Sequence, residues 1–512
     1  MERTSNALKN IVTIWLEKFI VIIVSFILRT VFIYTLGAQY VGLDGLFTNV
    51  LSLLSLSELG VGIAMTYSMY KPVADNNQEK LLSIMSLYQK VYRVIAAVIF
   101  LLGLLLLPFL KILIKEPPSN INLYLVYIGF LIDVSLSYLF TYKRSMLVAH
   151  QKTYKYTLID TVAKILILAI QSIVLFIFHN YYLYLMVKVI GNFLENAFVS
   201  VYVVRVYPYL KRKDAIPLEK AEKDSIVSNV KAMFFHKFGD FAINSTDNLI
   251  ISAFINVTMV GIVSNYNLVI SGVNTFINNA FSSLSAGIGN FIIVKDENKK
   301  LEMMELLNFL AFWVFGFAST CFYHLLNPFV KLWLGEQYIL PMTTVGLIVF
   351  SQYLTGMRVP LSTFKSSAGI FKQDQYVPLI QALVNLIISI IAVNIWGLAG
   401  IYLGTICSSI FVASWNRPYI VYKYALNKSS KTYFKKYIIY LIFILGIIAT
   451  LDASFTMLNI QNLWIDFIFR LIICIIVYNS AIFILFRKSI EFLRLKSMVV
   501  SIIKNRRGRA YE

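Results

Sequence analysis

Long apolar runs separated by short polar ones recur along the whole chain. Residues 95–107, 165–178 and 437–449 contain no charged side chain at all. A helix that crosses a bilayer needs roughly 20 mainly apolar residues. On that measure the pattern predicts about fourteen spans, near 10–36, 44–70, 84–114, 121–147, 155–178, 181–208, 226–254, 258–293, 302–326, 341–366, 375–395, 398–424, 434–457 and 463–486. The expected fold class is an all-α polytopic membrane protein. A soluble all-α protein could bury some of these runs, but not so many with so little charged surface: 58% of the residues are hydrophobic and 14% charged, and the mean hydropathy is +0.72.

The pattern also repeats. Lys18-Phe19 and Val41-Gly42 return as Lys237-Phe238 and Val260-Gly261, at an offset of 219. Lys80-Leu81 and Pro108-Phe109-Leu110-Lys111 return as Lys300-Leu301 and Pro328-Phe329-Val330-Lys331, at 220. Thr141-Tyr142-Lys143 returns as Thr363-Phe364-Lys365, at 222. Matches in order with so little drift indicate a duplicated unit, and in a membrane protein such duplication points to a transporter. The expected organisation is an N-lobe of helices 1–6 (1–210), a cytoplasmic linker (211–225), a C-lobe of helices 7–12 (226–426), two extra helices (427–486) and a basic cytoplasmic tail (487–512). With an even number of spans each, the two six-helix repeats run parallel, related by an axis along the membrane normal.

Charge settles the orientation expected. Lys and Arg number 46 against 26 Asp and Glu, a net charge of +20. About 33 of the basic residues fall in alternate connections counted from the N-terminus, whereas the opposite set holds only Lys111, Lys115 and Lys331. That is the positive-inside asymmetry. It places both termini in the cytoplasm and accounts for the basic balance without nucleic acid. The tail adds an amphipathic segment, with Ile490, Leu493, Leu495, Met498, Ile502 and Ile503 against Lys488, Arg494, Lys496 and Lys504. Such a segment lies on the inner leaflet, drawn to anionic lipid.

Ionisable residues inside spans are costly unless they face protein or a watery cavity. Lys18 and Arg29, eleven residues apart, project from one face of the first helix, roughly 16 Å apart along its axis. In the seventh span Lys237, Asp240, Asn244 and Asp247 form a stripe at i, i+3, i+7 and i+10, with Asn248 as the equivalent of Arg29. The eighth carries Asn267, Ser271, Asn274 and Asn278. The tenth carries Ser351, Thr355, Arg358, Ser362 and Lys365, and the second Thr48, Ser52, Ser55 and Glu58. One reading makes these stripes interhelical hydrogen bonding; the other makes them the lining of a substrate path. Asp160 and Lys164, four apart, are expected to neutralise one another. Arg29 and Arg358 have no acid within a turn of their own helix, and guanidinium suits phosphate. The cationic cavity expected is Arg29, Arg358, Lys18, Lys237, Lys365 and Lys143. Asn244, Asn248, Asn267, Asn274, Ser52 and Thr355 are candidate glycan contacts. Asp240, Asp247, Asp133 and Glu17 are candidates for coupling to H+ or Na+, each with a charge-balancing role as its alternative.

Enzymatic chemistry finds no support. His150, His179, His236 and His324 lack metal-ligand spacing, and there is no phosphate loop or nucleophile elbow. Cys321, Cys407 and Cys474 are odd in number and each lies inside a predicted helix, so neither a disulfide nor a metal site is expected. No cleavable signal peptide is expected either, because the first apolar segment reads as a span.

Leu36-Gly37-Ala38-Gln39-Tyr40-Val41-Gly42-Leu43-Asp44-Gly45-Leu46-Phe47, followed by Leu56-Ser57-Glu58-Leu59-Gly60-Val61-Gly62 and Tyr70-Lys71-Pro72, resembles the Wzx-type oligosaccharide flippases of bacterial surface-polysaccharide pathways. These belong to the multidrug/oligosaccharidyl-lipid/polysaccharide exporter superfamily. The resemblance implies movement of a polyprenyl-pyrophosphate-linked oligosaccharide from the inner to the outer leaflet of the bacterial cytoplasmic membrane by alternating access, with no cofactor. Its implied partners are membrane lipids and the polysaccharide polymerase and glycosyltransferases of such a pathway. A flippase for the peptidoglycan precursor and a multidrug or cation exporter are the alternatives within the superfamily. A membrane glycosyltransferase or polymerase is the alternative outside it, disfavoured by the short external connections.

Overall fold

The computed structural model describes residues 2–509 except 56–60, 213, 221, 225, 228–229, 231–245, 285–287, 289–295, 371 and 458–459; the side chains of 2–9, 11–12, 63, 372, 499 and 501–509 are likewise outside the description. Among the described residues the regular structure is helical throughout. Among those residues, eleven helices are long and apolar enough to cross a membrane, and each coincides with one of the expected spans.

The three other expected spans fare differently. Near 44–70 there are two helices, Ala38–Leu54 (α2) and Val61–Ala74 (α3), flanking residues outside the description. The first of them starts six residues before 44, because Gly37, at φ 90, turns the chain directly out of the first helix, Glu2–Leu36 (α1). Near 341–366 the chain forms Met342–Met357 and Val359–Ser367, divided at Arg358. Pro360, near the start of the second piece, has no N–H with which to continue the ladder. Of 226–254 only the end is described, as the short helix Thr246–Ile255 (α10).

Contacts divide the chain into two compact units, Met1–Ser264 and Asn265–Glu512. In the first, α1 packs along Thr153–Phe178 (α8). Leu123–Thr141 (α6) lies between Gln78–Leu106 (α4) and Tyr181–Val206 (α9). Leu110–Leu113 (α5) continues α4 past Pro108, and Arg144–Ala149 (α7) packs on α3, α8 and α9. The start of Val257–Ser283 (α11) meets α2 at two glycines. A Cβ on Gly42 would lie 1.9 Å from the Val257 carbonyl oxygen and 2.9 Å from Gly261 N. One on Gly261 would lie 2.0 Å from the Ala38 carbonyl oxygen and 3.0 Å from Gly42 N. Backbones this close need residues without side chains on both helices. These are the two glycines that the 219-residue offset brings into register.

In the second unit the 38-residue helix Glu297–Leu334 (α12) is the hub. Against it pack Met342–Met357 (α13), Val359–Ser367 (α14), Lys431–Thr456 (α18), Leu463–Phe486 (α19) and Ile490–Arg509 (α20). The seam is aromatic: Phe312 stacks on Tyr440 at 4.0 Å, and Phe486 and Phe492 close on Phe309. Pro328 stays within α12, whereas its counterpart Pro108 interrupts its own helix. Val377–Trp396 (α15) and Leu398–Ser408 (α16) form a tight pair. Gly400 and Gly404 let the backbones approach, and polar side chains join them: Asn385 Nδ2 donates to Thr405 Oγ1 at 3.0 Å and Ser389 Oγ to the Ile401 carbonyl at 3.2 Å. A π-helical turn over Ser409–Ala413 leads into Ser414–Tyr424 (α17). Cys321 and Cys474 sit side by side where α12 meets α19, and both are free thiols.

Three spans begin alike. Asn122, Asn180 and Asn462 each precede a helix and accept hydrogen bonds from the backbone N–H groups two and three residues on. A cap of this type contributes about 1 kcal/mol. Asn180→Ala should therefore lower the melting temperature measurably, whereas Asn180→Asp should leave it nearly unchanged.

Candidate functional site

The first unit carries its charge inside, in two clusters. In one, Arg29 of α1 donates from Nη1 to Ser264 Oγ of α11 at 2.9 Å and lies within electrostatic reach of Asp44 on α2. Asp44 is bridged by Lys188 of α9 at 3.3 Å, and the Lys188 ammonium sits 4.2 Å from the centre of the Phe130 ring. One turn along α9, Asn192 donates to both oxygens of Asp133 on α6, at 3.1 and 3.0 Å. Two cations and two carboxylates thus stand close together, on four helices.

The second cluster joins α1, α7, α8 and α9. Glu17, buried, takes Lys164 of α8 at 3.1 Å and its own neighbour Lys18 at 3.6 Å. Arg144 of α7 donates from Nη1 to Asp160 Oδ2 at 3.1 Å, and from Nη2 to Glu195 Oε1 at 2.6 Å and Asn196 Oδ1 at 2.9 Å. The Lys143 ammonium donates to Ser200 Oγ at 2.7 Å. The expected Asp160–Lys164 pair does not form. Lys164 reaches across to Glu17, because a charge on a neighbouring helix can be met head-on, and Asp160 turns to Arg144.

In the second unit the expected stripe along 351–365 is engaged residue by residue. Thr355 Oγ1 donates to the Ser351 carbonyl at 3.0 Å and accepts from Arg358 Nη2 at 3.2 Å. Arg358 is buried, at 8% exposure, within electrostatic reach of Tyr433 and Tyr437 on α18. Arg417 donates to Ser362 Oγ at 2.7 Å. Lys365 is buried and paired with an equally buried Asp374. Asn274 donates to Gln352 Oε1 at 3.0 Å. Ser52, Asn248, Asn267 and Asp247 are half-buried on their helices. Lys237, Asp240 and Asn244 lie outside the described residues. A mainly apolar cleft of about 390 Å³ opens between α12, α13 and α18, with Ser319, Tyr323 and Asp452 as its polar lining. Among the described residues, no three His, Cys, Asp or Glu side chains gather where a metal ion could be held.

Of the expected cations, Lys18 and Lys365 are thus matched by carboxylates, while the hydrogen bonds given above for Arg29, Arg358 and Lys143 go to hydroxyls. Sequence reasoning passed over Lys188, Glu195 and Arg144. The signal existed: Lys188, Asn192, Glu195, Asn196 and Ser200 follow i, i+4, i+7, i+8 and i+12, one polar face of α9.

No family model matches the sequence, and no curated protein matches it. Solved structures do. The lipid II flippase MurJ, in an inward closed conformation, is similar with a TM-score of 0.64 and 14% identity, over 92% of this chain and 98% of that one. A mutant form of the Vibrio cholerae MATE transporter VcmN gives 0.57 and 14%, over 84% and 99%. An inward-facing multidrug resistance MATE family transporter of the MOP superfamily gives 0.57 and 13%, over 77% and 93%. The chain is a multi-pass membrane protein with the fold shared by MurJ and the MATE transporters.

Proposed function

We propose that this protein is a flippase that carries polyprenyl-pyrophosphate-linked oligosaccharide units from the inner to the outer leaflet of a bacterial cytoplasmic membrane by alternating access, with both termini in the cytoplasm. The observation that carries this reading is Arg29 in the first unit, whose guanidinium donates to the Ser264 hydroxyl. A pyrophosphate needs buried cations, and the fork of a guanidinium matches its oxygens. A glycan needs amide and hydroxyl partners, which the Asn and Ser stripes supply. A polyprenyl chain needs an apolar recess, and the cleft against α18 has that character. The reciprocal contact of Gly42 with Gly261 supports two six-helix repeats of parallel orientation, because a pseudo-two-fold axis brings equivalent residues together. In this reading the three expected spans beyond the eleven complete a fourteen-helix bundle, and the lobes divide at the 211–225 linker.

A second reading, a flippase for the peptidoglycan precursor, is favoured by the similarity to MurJ. A multidrug or cation exporter, the reading favoured by the similarity to the MATE transporters, calls for an acidic interior. Depletion of the protein distinguishes them. Complete lipid-linked units that accumulate, and that are protected from a glycan-modifying enzyme added outside the cell, identify translocation as the lost step; mass spectrometry of the glycan names the substrate. Accumulation of the peptidoglycan precursor with cell lysis supports the second reading. Unchanged lipid-linked pools together with raised drug sensitivity support the exporter.

A further inference from the structure

The last helix, α20, begins at Ile490, and only Arg487, Lys488 and Ser489 separate it from the end of α19 at Phe486. Three residues reach at most about 10 Å, so α20 starts where a span has just ended. There it meets α12. That helix has 38 residues, about 57 Å at 1.5 Å each against roughly 30 Å of hydrocarbon. Its first turns carry Glu297, Lys299, Lys300, Glu302 and Glu305. Charges so dense set that end of α12 among the lipid headgroups.

One face of α20 is committed to protein. Arg494 pairs with Glu302 of α12 at 2.8 Å. Glu491 takes Lys436 of α18, which also holds Glu305 of α12 at 3.1 Å. Phe492 stacks on Trp313 with ring centres 5.9 Å apart, and Leu495 packs against the same core. Arg494 and Leu495, which the sequence pattern sets on opposite sides, share this docked face, because α12 offers an acid and an aromatic seam side by side.

The opposite face is open. Ile490, Leu493 and Val500, at i, i+3 and i+10, are 67, 52 and 42% exposed. Lys496 stands among them, and Arg487 and Lys488 lead into the helix, all three exposed. From Arg487 onward the chain carries eight Lys and Arg against two Asp and Glu, and one of those acids, Glu491, is already held by Lys436. Apolar side chains open to water beside unmatched cations are complemented by acyl chains under anionic headgroups. A second copy of the chain would bring the same cations against these and repel them.

We infer that this face of α20 binds an anionic bilayer surface, and that the helix is a strap tying the end of α12, the hub of the second unit, to that surface. Phosphodiester headgroups meet Arg487, Lys488 and Lys496, and acyl chains cover Ile490, Leu493 and Val500. The site stands on α20 and its docking, whichever substrate is carried.

Hydrogen–deuterium exchange of the full-length protein in nanodiscs reads the site locally. Amides of 490–500 should exchange at least tenfold more slowly in phosphatidylglycerol discs than in phosphatidylcholine discs, and those of 297–305 should slow with them. At about a fivefold loss of affinity per charge removed, the triple variant Arg487→Gln, Lys488→Gln, Lys496→Gln should lose the difference. Equal exchange of the unaltered protein in the two lipids overturns the site, and so does a difference that survives in the triple variant. Slowing found only in discs that hold two copies makes the face a dimer contact and overturns it equally. Slowing confined to 490–500 removes the strap and leaves the lipid face.

Discussion

Gly42→Leu is expected to prevent the first unit from folding. The new Cβ alone would overlap the Val257 carbonyl oxygen at 1.9 Å, and the obstacle is backbone, which cannot rotate aside as a side chain can. Overpacking a well-filled site costs about 1–3 kcal/mol; forcing two helices apart at their closest approach reaches the top of that range or beyond. Gly261→Leu should behave alike, since its Cβ would overlap the Ala38 carbonyl oxygen at 2.0 Å. Gly45→Ala is the control. It lies one turn further along the same helix with nothing within 4 Å of its Cβ, and Ala in place of Gly inside a helix stabilises it by up to about 1 kcal/mol. Size-exclusion profiles and thermal melting in detergent read all three. Well-folded Gly42→Leu protein would mean that α2 and α11 do not cross as described.

Loss of surface-polymer export, with normal protein levels, is the expected outcome for Arg29→Ala and for Arg358→Ala. A charge-assisted hydrogen bond contributes about 1.5–3 kcal/mol, so each variant should lose roughly ten- to a hundredfold in transport rate. Arg29→Lys keeps the charge but not the two-pronged donor geometry, and should fall between. Ser264 and Thr355 each keep a backbone acceptor in these variants, the Gly261 and Ser351 carbonyls. Normal export in both alanine variants removes the proposed anion site. Failure confined to Arg358→Ala would place the anion in the second unit alone.

The origin of these expectations differs along the chain. The eleven long spans were legible because hydrophobic length is a one-dimensional property: Leu463–Phe486 must be helical wherever it lies in a bilayer, since an unpaired backbone cannot remain in hydrocarbon. Arg29 was legible as a site for the same reason, a cation inside an apolar run. The division of 341–366 at Arg358 was less so, although Pro360 stood in plain view, because Pro328 sits inside α12 without dividing it. What a proline does depends on whether neighbouring helices hold the two halves in line.

Ion pairing was the property least accessible from sequence. Spacing of four residues suggested Asp160 with Lys164, and each instead found a partner on another helix: Arg144, 16 residues from Asp160, and Glu17, 147 residues from Lys164. Sequence distance does not encode which helix faces which, and a side chain inside a bundle follows the nearest opposite charge rather than the nearest neighbour in the chain. By itself the sequence determined the solvent in which this protein lives, the positions of its long apolar helices, and the recurrence that aligns Gly42 with Gly261. Only the tertiary structure decided that those two glycines touch, that Lys365 is spoken for by Asp374 while Arg29 rests on a hydroxyl, and that two carboxylates share one arginine. Those are facts of packing, and packing is settled by all the helices at once.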